Sequence, residues 1–85
     1  MKDKVKKKRI KWTEVLSQVY EYKTDNVLWS RYMVFRTQHP DMSLNRCAYY
    51  VLKSYYSTIA LRQCKKYFYE YDGYGIAVLH LINRL

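Results

Sequence analysis

Two glycines and one proline in 85 residues leave little material for tight turns. They exclude a collagen-like repeat and a glycine loop that cradles phosphate. Cysteine is also scarce. Cys47 and Cys64 do not make a disulfide framework, and a reducing cytoplasm is the expected compartment. The longest strongly apolar run, Ile76–Ile82, is interrupted by His80 and falls far short of the ~20 residues a membrane span needs. No apolar stretch follows the basic N-terminus, so no secretory signal is expected. No internal repeat is present. Acidic residues are outnumbered, seven against sixteen Lys and Arg, for a net charge of +9.

What the chain does have is apolar and aromatic material. Hydrophobic residues make up 49%, enough to argue against global disorder. A chain of this length builds one modest core, with little room for a deep active-site cleft.

The positive charge is concentrated at one end. Residues 1–12, MKDKVKKKRIKW, hold seven cations (Lys2, Lys4, Lys6, Lys7, Lys8, Arg9 and Lys11) against Asp3 alone. Residues 13–85 carry a net charge of only +3. Like charges this close repel, and only Val5 and Ile10 are available as anchors. Residues 1–12 are therefore expected to be a basic arm, disordered when free, ahead of a single domain at 13–85. A polyanion would relieve the repulsion, because each neutralised phosphate releases condensed counterions. A purely solubilising tail would have the same composition.

Periodicity predicts an all-α bundle of four to five short helices. Trp12, Val15, Leu16, Val19 and Tyr20 form a stripe at helical spacing, with Thr13 as a candidate N-cap, although Trp12 could equally be inside a helix that begins in the basic arm. A second helix runs from Val27 to about Gln38, where His39 before Pro40 ends it. Leu44, Cys47, Ala48, Val51 and Tyr55 make the cleanest stripe of the chain. Ser57 is placed to cap a fourth helix, with Leu61, Cys64, Phe68 and Tyr71 inward. Gly73 is the expected left-handed residue that ends it. The final segment, Ile76–Leu85, is apolar almost all round, which suits a bundle core or a subunit interface. The alternative is an α+β fold with a C-terminal hairpin over residues 67–79, since Asp72-Gly73 between Tyr-, Phe- and Val-rich flanks is also a type I′ turn signal.

Eleven of the 85 residues are tyrosine. Neighbours on a helix point about 100° apart, so one member of each pair, Tyr49-Tyr50 and Tyr55-Tyr56, is expected to face away from the core. Tyr49, Tyr50 and Tyr56 are the candidate interface residues, since tyrosine is enriched where proteins meet and also stacks on unpaired bases. Arg62, Lys65 and Lys66, at i, i+3 and i+4, put three charges on one helix face, a pattern suited to a phosphate backbone and equally to a solvated surface. Residues 44–67 match a helix-turn-helix only loosely: Leu52 or Lys53 stands where a turn glycine is usual, and Arg62 near a position usually buried.

Metal and enzyme chemistry find no support. The two cysteines are too far apart for a zinc knuckle, and both fit apolar stripes. There is no nucleophile elbow and no pair of groups whose spacing argues for catalysis. No catalytic residue, metal ligand or cofactor is expected. The reading that follows is a small, basic, non-enzymatic nucleic-acid-binding accessory protein. It would hold DNA or RNA backbone through Lys2, Lys4, Lys6, Lys7, Lys8, Arg9 and Lys11, with Arg62, Lys65 and Lys66 docking the body. The alternative is a small assembly or adaptor protein, such as a virus or phage virion component or an inhibitor of a host protein. It would use Tyr-rich helical faces against a protein partner or a second copy.

Overall fold

The computed structural model describes residues 9–24 and 26–83. It contains five helices: α1 (Trp12–Lys23), α2 (Asn26–Gln38), α3 (Leu44–Tyr55), α4 (Thr58–Glu70) and α5 (Tyr74–Asn83). No strand occurs among the described residues. Helix α1 is central, packing on α2, α3 and α5. Two helical hairpins, α2–α3 and α4–α5, close on it, while α3 and α4 touch only briefly near their joint. Only Tyr56 and Ser57 join α3 to α4, fewer than the three to four residues usual in the turn of a helix-turn-helix.

The core follows the apolar spacing. Val15, Leu16 and Val19 of α1 meet Leu28 of α2, Cys47, Ala48, Val51 and Leu52 of α3, Leu61 and Cys64 of α4, and Val78 and Leu81 of α5. The core also reaches upstream of α1. Ile10 is 5% exposed and Trp12 9%, so the packed body extends back to Ile10 rather than beginning at residue 13.

Local chemistry sets the helix ends. The Ser43 hydroxyl accepts from the Arg46 N–H at 3.2 Å, and Ser57 accepts from the Ala60 N–H at 3.0 Å. Each satisfies an otherwise orphaned donor of a first turn. Helix α1 takes the earlier of the two expected starts, with Trp12 inside it. Its cap residue is Lys11, whose side chain makes no capping bond. The Trp12 N–H instead donates to Asn45 Oδ1 of α3 at 2.6 Å, and the Lys11 N–H donates to the Tyr74 hydroxyl at 3.0 Å. Tertiary partners thus do what a local cap does elsewhere.

The α4–α5 turn resolves the choice between helix and hairpin. The Gly73 N–H donates to the Phe68 carbonyl at 3.0 Å, the six-to-one bond of a Schellman motif. Asp72, not Gly73, takes the left-handed position, at φ 50°. Aspartate tolerates that region better than most residues. A methyl group built on Gly73 would meet only the Tyr71 carbonyl oxygen, at 3.9 Å. Gly73→Ala is therefore expected to change stability by less than ~0.5 kcal/mol in urea unfolding. A type I′ turn, with both central residues at positive φ, would lose about 1 kcal/mol or more.

Three residues assigned to apolar stripes lie outside the core. Leu44 (49% exposed) opens α3 beyond the edge of α1. Tyr55 (36%) is at its last turn. Tyr71 (57%) follows the end of α4. Helix α5 buries Ala77, Val78 and Leu81, and leaves Ile76 and Leu79 nearly half exposed.

Candidate nucleic-acid interface

The described part of the basic N-terminal segment is pinned at its root. Ile10 and Trp12 are buried, while Arg9 and Lys11 between and beside them are exposed. The alternation is that of an extended chain laid on a surface, one side down and one side in water. Two backbone bonds, to Asn45 and Tyr74, fix where this segment leaves the body. Lys2, Lys4, Lys6, Lys7 and Lys8 lie outside the described residues.

The Trp12 indole packs against Tyr49, ring centroids 5.2 Å apart and planes tilted by 58°. Beside this pair is a shallow cavity of about 230 Å³, lined by Trp12, Tyr49, Leu61, Arg62 and Lys65. Helix α4 is turned so that Leu61, Cys64 and Phe68 are buried. One step around the helix this puts Arg62 and Lys65 at the rim, next to the indole. Arg9 is three residues upstream of Trp12, within ~10 Å along the chain. Arg9 and Lys11 themselves line a second cavity, with Glu14, Asn45, Asp72 and Tyr74, and Trp12, the residue after Lys11, lines the first with Arg62 and Lys65.

Lys66 is placed differently. Its Nζ lies 3.7 Å from Glu70 Oε1, both side chains well exposed. An exposed i, i+4 pair contributes little to stability, yet it offsets one charge of the expected triad. Arg62 and Lys65 are the two members that meet the Trp12–Tyr49 wall.

The three candidate tyrosines separate. Tyr49 is half-buried against Trp12. Tyr50 is exposed, and its hydroxyl accepts from Arg46 Nη2 at 3.4 Å. That hydrogen bond, followed by the guanidinium's charge, draws the Tyr50 hydroxyl below the ordinary tyrosine titration range. Tyr56 is 5% exposed and belongs to the core, which corrects its assignment to a surface. Its backbone is extended (φ −114°, ψ 159°) as the C-cap of α3. The helical rotation per residue therefore stops before it, and its ring turns inward while Tyr55 turns out.

The described cysteines are core groups. Both are buried and neither is disulfide-bonded. Burial pushes the Cys64 thiol up to about 12, the opposite of what nucleophilic activation requires. Native protein at pH 8 is expected to react with a thiol reagent at Cys64 orders of magnitude more slowly than denatured protein. Comparable rates before and after denaturation would contradict the packing. Among the described residues no group of three or more His, Cys, Asp or Glu is arranged to hold a metal ion, and no helix is long and apolar enough to cross a membrane.

One charge feature lies outside the residues singled out from sequence. Between Asn26 and Tyr69 the chain has seven cations and a single acid, Asp41. Arg31, Arg36, Arg46 and Lys53 join Arg62, Lys65 and Lys66, and all seven are exposed. The signal was the scarcity of acids over more than forty residues, which a search for clustered cations passes over. Comparison with known proteins returns no matching family model, no matching curated protein and no matching solved structure.

Proposed function

We propose that this chain binds nucleic acid without catalysis, holding the phosphate backbone through its basic N-terminal segment and through Arg62 and Lys65 of α4. The observation that carries the reading is that Trp12, one residue past the basic segment, lines a cavity with Arg62 and Lys65. Phosphates along a strand are regularly spaced, so a binding track needs successive cations on one side of the protein. Because phosphate contacts carry no base information, the binding is sequence-independent. The exposed Tyr69 ring, one turn beyond Lys65 on α4, would add stacking on a single strand. The same reading assigns the chain to the cytoplasm, or to a virion if the source is viral. The two unbonded thiols support a reducing compartment.

Replacing Arg62 and Lys65 together by Ala is expected to weaken duplex binding about equally for unrelated sequences. It should also reduce the slope of log affinity against log salt by up to about 2. Lys66→Ala should have a smaller effect, because Glu70 already offsets its charge. Fluorescence anisotropy with labelled duplexes measures both. An unchanged affinity in the double variant would remove α4 from the interface.

A second reading, protein assembly through an exposed face, is favoured by an apolar groove between α2 and α3.

A further inference from the structure

We propose that the groove between α2 and α3 is a docking site for an acidic amphipathic helix of a protein partner. It is a cavity of about 610 Å³ whose walls include Val27, Arg31, Val34 and Phe35 of α2 and Tyr50 and Val51 of α3. Val27 is 61% exposed and Val34 55%. A single exposed valine is ordinary. These two share one face of α2 with Arg31 and Gln38 at helical spacing, across from the Tyr50 ring. Helix α2 already buries Leu28 and Tyr32 against the bundle, so it is apolar on two sides, and among the described residues no helix lies over the second.

Length and charge choose the occupant. From Val27 to Gln38 the groove runs about 16 Å, three helical turns, and a channel between two packed helices accepts the ridges of a third. Neither α2 nor α3 contains an acidic residue, Arg31 lines the groove, and Arg46 hydrogen-bonds the Tyr50 hydroxyl on its wall. The complementary surface is an apolar stripe flanked by Asp or Glu. A second copy docked through this groove about a twofold axis would bring Arg31 towards its equivalent. The chain's first eight residues, with five lysines and one acid, have the wrong sign. A duplex would pair with the arginines and leave the valines without an apolar partner. The inference does not depend on nucleic-acid binding, which concerns the Trp12–Tyr49 wall.

The test uses the full chain and two synthetic helical peptides that share one leucine stripe, one flanked by Glu and the other by Lys. Calorimetry should show the Glu peptide binding at least about tenfold more tightly, with an affinity that falls as salt rises. Amide chemical-shift changes should gather at Val27, Arg31, Val34 and Tyr50. Val34→Glu should lower affinity for the Glu peptide by about tenfold or more. Position 34 is exposed, so circular dichroism should stay unchanged. Arg31→Glu should shift preference towards the Lys peptide. Equal binding of the two peptides, indifference to Val34→Glu, or no binding of the Glu peptide up to about 1 mM would overturn the proposal. So would groove shifts produced by a duplex oligonucleotide, or by a concentration-dependent dimer that Val34→Glu abolishes.

Discussion

Replacing Lys2, Lys4, Lys6, Lys7, Lys8 and Arg9 by glutamine is expected to flatten the salt dependence of duplex binding by about 3 to 5 units of log–log slope. Each neutralised phosphate contributes roughly 0.9, so six cations set a ceiling near 5, reached only if all are engaged. At low salt the affinity loss should be several orders of magnitude, and it should be the same for unrelated sequences, since backbone contacts do not discriminate bases. The substitution stops at Arg9 for a structural reason. Ile10 is part of the core and the Lys11 N–H is bonded to Tyr74. Deleting residues 2–11 would remove a core side chain and expose the start of α1, mixing instability with lost binding. The glutamine variant removes the charge while keeping Ile10 and Lys11 in place.

Trp12→Ala is expected to have the largest effect on stability. The indole is almost wholly buried, stacks on Tyr49 and closes the joint between α1 and α3. Truncating a buried tryptophan costs about 3–5 kcal/mol, a large part of the total stability of roughly 4–13 kcal/mol for a domain this size. The melting temperature should fall by about 15 °C or more. The same substitution separates two roles for an aromatic at a candidate nucleic-acid surface. With so little of its surface in water, Trp12 supports the wall rather than stacking on a base. Trp12→Phe should keep most of the nucleic-acid affinity while losing some stability. A Phe variant that folds normally but loses its single-strand affinity would make Trp12 a contact residue.

The helices were legible because their apolar positions recur at three and four residues. The stripes of α1 and α3 need no knowledge of neighbours, and Ser57 announces the start of α4. What was not legible depended on partners distant in sequence. The Trp12 N–H at the start of α1 finds its acceptor in Asn45, thirty-three residues away, a partner that no local pattern records. Tyr56 faces the core because the chain leaves the helical path one residue before it, and a fixed angle per residue does not record that. Asp72 holds the left-handed angle and Gly73 the hydrogen bond, a division of labour that composition does not distinguish. In the candidate site, the i, i+3 pairing of Arg62 and Lys65 was readable. Their meeting with Trp12 required the fold. The Lys66–Glu70 pair, at i, i+4, was within reach of the sequence.

The most direct measurement is an anisotropy titration of the full chain against labelled duplexes of two unrelated sequences and a single strand, repeated across a salt series starting near 50 mM. Nucleic-acid binding through the N-terminal segment and α4 predicts tight binding at the lowest salt, similar for both duplexes, with log affinity falling linearly as log salt rises. No binding of duplex or single strand at low salt, or an affinity that does not respond to salt, would contradict it.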